Sequence, residues 1–284
     1  MHRFRTWIQL GFVALTNGHL RGFLTGSIYR GPLKGGCVPG LNCYSCPGAV
    51  GSCPIGALQA ALTERRPSFP LYVLGFLLLF GAAFGRFVCG FLCPFGLFQD
   101  LLHKIFPKQH LRKIPLDRVL RHGKFLVLAV FVLYLPLFAV NEFGLGSPAF
   151  CKFICPSGTL MGGIPLVAAK QALRGQLGFL FGWKFALLLG LSVLGLFLYR
   201  PFCKFLCPLG AIYGLFNRIA PLAYRVDGHR CVGCGKCASV CPMNVDLAKG
   251  IMPMECIQCG RCVKDCPAGA IHNGVGKEKL PHRG

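Results

Sequence analysis

Eighteen of the 284 residues are cysteine, and eight of these form two runs near the C-terminus. Cys231-x2-Cys234-x2-Cys237-x3-Cys241 is closed by Pro242, and Cys256-x2-Cys259-x2-Cys262-x3-Cys266 by Pro267. Thiolates at this spacing suit [4Fe–4S] cubanes: three cysteines on a tight turn hold three irons, and the fourth, next to Pro, reaches the other cluster. The spacing assigns Cys231, Cys234, Cys237 and Cys266 to one cluster, and Cys256, Cys259, Cys262 and Cys241 to a second. Gly233, Gly235 and Gly260 let the backbone wrap closely and aim N–H groups at sulfur. Zinc sites also use C-x2-C pairs, but they rarely show two x2, x2, x3 runs that each end in Pro.

Ten cysteines remain. Three pairs read C-x3-C-P: Cys89/Cys93, Cys151/Cys155 and Cys203/Cys207. Two geometries serve this spacing. On a continuous helix, positions i and i+4 share a face. Alternatively, the second Cys caps a helix that starts at Pro94, Pro156 or Pro208, where Pro is favoured and the positive helix end faces the thiolates. Residues 86–105 and 200–219 also share nine identities over twenty ungapped positions, in the frame R-x-x-C-x-F-L-C-P-x-G. An amphipathic stretch follows each copy (Leu97, Phe98, Leu101, Leu102 and Ile105 in the first), as expected of a helix on a membrane surface. A fainter C-P-x-G match links Cys53–Gly56 with Cys155–Gly158. The pattern predicts an internal pseudo-two-fold repeat with its axis along the membrane normal.

The elements that must position these cysteines are apolar helices. The chain is 54% hydrophobic and only 14% charged, with a mean hydropathy of +0.55. This excludes a disordered chain and an ordinary soluble domain. Strong apolar runs cover Leu71–Gly85, Phe125–Val140 and Phe185–Tyr199, the last extending back to Leu177 if Lys184 is tolerated. They are short for a ~30 Å hydrocarbon core, and Arg86, Lys124, Lys184 and Arg200 at their ends read as snorkelling anchors. A weaker segment, Trp7 to about Ile28, is interrupted by Thr16–His19 and Arg21, and reads as an uncleaved anchor or a fourth span. Its Asn17 and His19 face a helix bundle or line a quinone pocket.

The loop 86–124 holds eight Lys/Arg (Arg86, Lys104, Lys108, Arg112, Lys113, Arg118, Arg121 and Lys124), against three in 141–176 and four in 25–69. The positive-inside rule then places loop 86–124 in the cytoplasm. Cys89, Cys93, Cys203 and Cys207 fall on that side, four thiolates for one further cluster. Cys37, Cys43, Cys46, Cys53, Cys151 and Cys155 fall on the outer side. There Cys53, Cys151 and Cys155, with Cys43 or Cys46, make a second quartet and leave two thiols spare. Zinc, palmitoylation or disulfides are the other uses of such cysteines. The net charge of +22 fits membrane flanks and anionic clusters better than nucleic acid, since no basic motif with interleaved aromatics occurs. Cys-x-x-Cys-His is absent, which excludes haem c by motif, and paired span histidines for haem b are missing.

The expected architecture is an α-helical membrane protein of about four spans over residues 1–224, followed by an α+β two-cluster ferredoxin domain over 225–284. Its motifs resemble the NapH/MauN ferredoxin-type membrane proteins, and are similar to the C-terminal part of NosR-type regulators and to CcoG-type polyferredoxins. The resemblance rests on Phe87–Gly96, Phe202–Gly210 and the eight cysteines after Arg230, and covers about 71–267. The block Gly35–Gly56 and the pair Cys151/Cys155 depart from the usual two-motif pattern. The resemblance implies electron transfer between a quinol pool or cytoplasmic donor and a redox partner: a ferredoxin, a flavoprotein or a reductase subunit. The expected location is the cytoplasmic membrane, multi-pass, with the ferredoxin domain inside the cell. No acid–base or nucleophilic constellation is evident, so the cofactors carry the chemistry. An assembly factor that reduces metals or thiols for another complex is the alternative, motivated by the spare thiols.

Overall fold

The computed structural model describes residues 4–63, 70–105, 117–139, 141–142, 146–249 and 253–274. It is mostly helical. Two helices are long and apolar enough to cross a membrane: Asp117–Phe138, of 22 residues, and Phe179–Phe197, of 19. At 1.5 Å per residue these are about 33 and 28 Å long. The first starts well before Phe125, and contains a π-helical stretch, Leu128–Tyr134, that leaves the Phe131 carbonyl to accept from Gln59 Nε2 at 2.8 Å. Val140, the expected end of this run, lies outside the described residues, as do Lys108, Arg112 and Lys113. The second runs through Lys184, whose ammonium turns inward to the Cys151 carbonyl at 3.1 Å.

The helix Leu71–Phe84 is shorter, 14 residues. It stops at Gly85, which has φ +53°; a Cβ there would also lie 2.4 Å from Asn217 Oδ1, so both conformation and space require glycine. The N-terminal segment is not one continuous helix. Arg5–Thr16 is helical for about 18 Å, the chain breaks at residues 17–20, and a second short helix covers Arg21–Thr25. Asn17 and His19 tie the break to the following loop: Cys46 Sγ donates to Asn17 Oδ1 at 3.6 Å, and His19 Nδ1 lies 3.0 Å from the Pro47 carbonyl. His19 also borders an open cleft of about 790 Å³ with Tyr29, Arg30, Tyr44 and Lys170.

The charged residues expected to snorkel do the opposite. Arg86, Lys124 and Arg200 are fully buried, and Arg121 nearly so. Burial on this scale needs paired charge, which acidic residues remote in sequence supply for Arg86, Lys124 and Arg200, and Asp117, one turn away, for Arg121. Three of the eight charges counted toward the cytoplasmic loop are therefore interior.

The C-terminal unit is a small α+β module. Tyr224–Val226 pairs antiparallel with Ile271–Asn273, Tyr224 opposite Asn273 and Val226 opposite Ile271, so the sheet clasps the two ends of the module. The short helices Lys236–Ser239 and Arg261–Lys264 follow left-handed Gly235 and Gly260. The module does not hang free from the last apolar helix. The carbonyl of Ile257 packs so close to Gly90 that a Cβ there would lie 2.3 Å away. Arg121 Nη2 donates to the Met243 carbonyl at 2.8 Å, and Asn217 Nδ2 to the Cys256 carbonyl at 2.7 Å.

Candidate iron–sulfur sites

Four groups of four cysteines converge, one of them from three separate loops. In the C-terminal module, Cys231, Cys234, Cys237 and Cys266 line one cavity with Pro267, Val226 and Ile271. Cys241, Cys256, Cys259 and Cys262 line a second, together with Tyr224, Met243 and Ile257; Cys237 touches its edge. The fourth cysteine of each run thus turns to the other run's cavity, as the spacing requires of two cubanes. Cys234 is exposed and Cys259 and Cys262 are buried, so the first cavity is the one nearer solvent, and the second faces the rest of the protein.

In the membrane-type domain the motifs take the capped geometry. Cys53, Cys155 and Cys207 are extended residues immediately before helices that open with Pro54, Pro156 and Pro208; Cys93 stands in the same place before Pro94–Ile105. The first cysteine of each C-x3-C pair sits on a short preceding turn, Cys89 in Phe87–Phe91, Cys203 in Pro201–Phe205 and Cys151 in Phe150–Ile154. The glycine of every C-P-x-G directs its N–H at the cap sulfur. Gly210 N lies 3.3 Å from Cys207 Sγ, and Gly56, Gly96 and Gly158 face Cys53, Cys93 and Cys155 alike.

The quartet Cys89, Cys93, Cys203 and Cys207 is buried, and Cys93, Cys203 and Cys207 each feel charge on neighbouring sulfurs of the group. Burial and then the neighbouring sulfurs push Cys93 up to about 12 and Cys207 well above the ordinary thiol range. Four such thiolates are tolerated when cations offset them, and a coordinated thiol is deprotonated outright. Two arginines flank the group reciprocally. Arg86 Nη2 donates to the Cys203 carbonyl at 2.9 Å, and Arg200 Nη1 to the Cys89 carbonyl at 2.5 Å. Each guanidinium lies over the glycine of the opposite motif: a Cβ on Gly210 would be 2.9 Å from Arg86 Nη2, and one on Gly96 3.1 Å from both Arg200 Nη atoms. Gln99 Nε2 donates to Cys203 Sγ at 3.1 Å.

The arginines differ in their counter-ions. Arg200, held in a left-handed conformation at φ +50°, pairs with Asp100 at 2.5 Å, and Arg5 of the first helix joins the same carboxylate. Burial alone would raise the Asp100 carboxyl, but Arg200 and then Arg5 hold it down at about 2. Arg86 pairs instead with Glu255 of the C-terminal module at 2.5 Å, and Lys124 binds its other oxygen. Here too burial works upward, and the two cations keep Glu255 below the usual carboxylate range. Asn217 completes the junction, accepting from the Arg86 backbone N–H at 2.8 Å while donating to the Cys256 carbonyl.

Of the six remaining cysteines, Cys43, Cys53, Cys151 and Cys155 form the fourth group. They line a cleft of about 650 Å³ with Lys34, Lys184, Gly56, Gly158 and an apolar wall from Leu41 to Phe150. Burial, then mutual repulsion, pushes Cys53 up to about 12. Between the two open alternatives for the fourth sulfur, the structure brings in Cys43. Cys46 is buried on Asn17, and Cys37 stands beside Tyr72, whose hydroxyl receives the Cys37 N–H at 3.1 Å. All eighteen cysteines are free of disulfides. Among the described residues no three His, Cys, Asp or Glu side chains crowd closely enough for a single metal ion. Four cysteines per group, with the cross-paired runs of the C-terminal module, match [4Fe–4S] cubanes.

Sequence reasoning missed Asp100, Glu255, Gln99, Asn217 and Tyr213. The available signal was the alignment of Arg86 with Arg200 at the head of each repeat copy.

Comparison with known proteins agrees with this chemistry. The 4Fe-4S binding domain family matches residues 66–113, 125–171 and 180–225, and the 4Fe-4S dicluster domain family matches 223–267. An uncharacterized protein of Methanocaldococcus jannaschii is 30% identical over 58% of this chain and 62% of its own. The putative electron transport protein YccM of Escherichia coli is 30% identical over 57% of this chain and 42% of its own. The methylamine utilization ferredoxin-type protein MauN of Paracoccus denitrificans is 31% identical over 56% and 48%. The matched stretch thus spans less than two thirds of each of these relatives. No solved structure matches the chain.

Proposed function

Because this chain is an iron–sulfur protein built of 4Fe-4S ferredoxin-type domains, we propose that it is a multi-pass membrane electron carrier linking a cytoplasmic donor to a quinol pool or an extracytoplasmic redox partner. The supporting observation is the placement of the four cysteine quartets in series. The solvent-side cavity of the C-terminal module comes first, then its inward cavity. The Cys89/Cys93/Cys203/Cys207 group follows, and the Cys43/Cys53/Cys151/Cys155 cleft is last. Cubane clusters held there would supply one-electron redox steps.

The protein's own residues do the rest. The C-P-x-G turns hold the sulfurs and aim N–H groups at them. Arg86 and Arg200 place fixed positive charge against the buried quartet, which favours its thiolates. Glu255, Lys124 and Asn217 dock the module so that the loop bearing Cys256 meets the motif bearing Cys203. The two apolar helices of 22 and 19 residues, with Leu71–Phe84 and the broken N-terminal segment around them, anchor the assembly in the cytoplasmic membrane with the module on the cytoplasmic face. The shared frame of 86–105 and 200–219, with its crossed arginines, fits a pseudo-two-fold axis along the membrane normal. The assembly-factor alternative draws little from the spare thiols, since Cys46 is buried.

The test is reconstitution into liposomes enclosing a redox dye, with reductant supplied outside. Dye reduction that depends on the protein supports the carrier. No reduction, from protein with a full iron complement, overturns it, and a requirement for added quinone selects the quinol branch.

A further inference from the structure

Residues 39–43 carry no regular secondary structure, yet Pro39, Gly40, Leu41 and Asn42 are all buried. Irregular backbone is seldom buried, because each of its polar groups then needs a partner. Here the partners belong to the cysteine motifs. The Pro39 carbonyl accepts from Tyr213 Oη at 3.1 Å. The Leu41 N–H faces the sulfur of Cys93, and the Leu41 carbonyl accepts from Ser157 Oγ at 3.4 Å, two residues past Cys155. One residue thus faces the Cys89/Cys93/Cys203/Cys207 group with its N–H, binds Ser157 beside Cys155 with its C=O, and lines the Cys43/Cys53/Cys151/Cys155 cleft.

Gly40 shows how tight the approach is: a Cβ would lie 2.8 Å from the Leu92 carbonyl and 3.0 Å from Cys93 Cα. Tyr213 is fully buried, within electrostatic reach of Cys89 and Cys93 on one side and Cys53 and Cys37 on the other. Cys43 follows Leu41 by two residues, so their Cα atoms are at most about 7 Å apart. The two quartets are therefore separated by far less than the ~30 Å of a hydrocarbon core. The chain after Gly36 runs inward instead of staying at an outer surface.

We propose that Pro39–Cys43 is the electron bridge between the two quartets, and that Gly40 and Tyr213 are its positioning residues. This rests on both quartets holding clusters. An electron passing along the bridge leaves one site oxidised and the other reduced, with no bond made or broken and no proton moved. Tunnelling falls steeply with distance and is favoured by a bonded path, and the path here is a short stretch of backbone joined to Cys93 by a single N–H contact.

The experiment is iron analysis and low-temperature electron paramagnetic resonance of the full-length protein, reduced with dithionite in detergent. Wild type is expected to hold about sixteen irons, four per cubane, with the signal of the buried quartet broadened by its neighbour. Cys43→Ala should remove about four irons and narrow that signal. Tyr213→Phe and Gly40→Ala should keep the irons and lose part of the broadening, Gly40→Ala more than Tyr213→Phe. Full iron in Cys43→Ala, an unchanged signal after its irons are lost, or intact broadening in both positioning variants would each refute the bridge while leaving the two membrane sites standing. A wild type with about eight irons would remove those sites, and the bridge with them.

Discussion

The two quartets of the membrane-type domain use the same C-P-x-G cap in opposite surroundings. Around Cys89, Cys93, Cys203 and Cys207 every sulfur is buried, and both flanking cations are fully buried arginines bound to carboxylates. Around Cys43, Cys53, Cys151 and Cys155, two of the four residues, Cys43 and Cys151, are only partly buried, and the group lines an open cleft. There Lys34 and Lys184 donate to the main-chain carbonyls of Ala49 and Cys151, with Lys34 also over the Tyr44 ring, and neither forms an ion pair among the described residues. The same local turn closes a sealed group in one place and lines an open cleft in the other. What differs is the long-range charge pairing, which fixes the first site in the core and leaves the second accessible.

The sharpest contrast is expected from the cap cysteines themselves. Cys207→Ala and Cys53→Ala should each lose about four irons. Only Cys207→Ala should also loosen the C-terminal module, read as faster proteolysis near residue 225; equal proteolysis of the two variants would erase the distinction. Next comes Glu255→Ala, which strands Arg86 and Lys124 without a counter-charge. Removing one side of a buried pair costs about 3–5 kcal/mol, seen as a lower midpoint in detergent thermal unfolding.

Arg200→Lys follows. Lysine cannot reproduce the fork that spans Asp100 and the Cys89 carbonyl, and losing a charged hydrogen bond of this kind costs about 1.5–3 kcal/mol. A midpoint equal to wild type would show that the fork is dispensable. The smallest effect belongs to Lys184→Ala at the open cleft. One exposed-side hydrogen bond contributes about 1 kcal/mol, so unfolding should barely move; a drop as large as that of Arg200→Lys would mean the cleft is braced as firmly as the core.

Much of this was readable in the residues. The eight C-terminal cysteines and their cross-pairing follow from fixed spacing on a local turn, and the capped helices follow from Pro after Cys. Long apolar runs marked Asp117–Phe138 and Phe179–Phe197; the first starts earlier than Phe125 because Lys124 read as its end, while the extension of the second through Lys184 to Leu177 comes within two residues of its start. The arginines were misread for a physical reason. At the edge of an apolar run, Arg86 and Arg200 look like interface anchors, and nothing local reveals that Glu255, 169 residues on, or Asp100, 100 residues back, will meet them inside. The inward course of 39–43 was equally hidden, because the bonds that hold it there come from Tyr213 and Ser157, far along the chain.

One consequence reaches the other end of the polypeptide. Arg5 shares the Asp100 carboxylate with Arg200 and donates through Nε to the Gly90 carbonyl at 2.9 Å, one residue past Cys89. The opening helix is thus a wedge behind the first sulfur motif. A change that disturbs Arg5 would register as a changed cofactor signature.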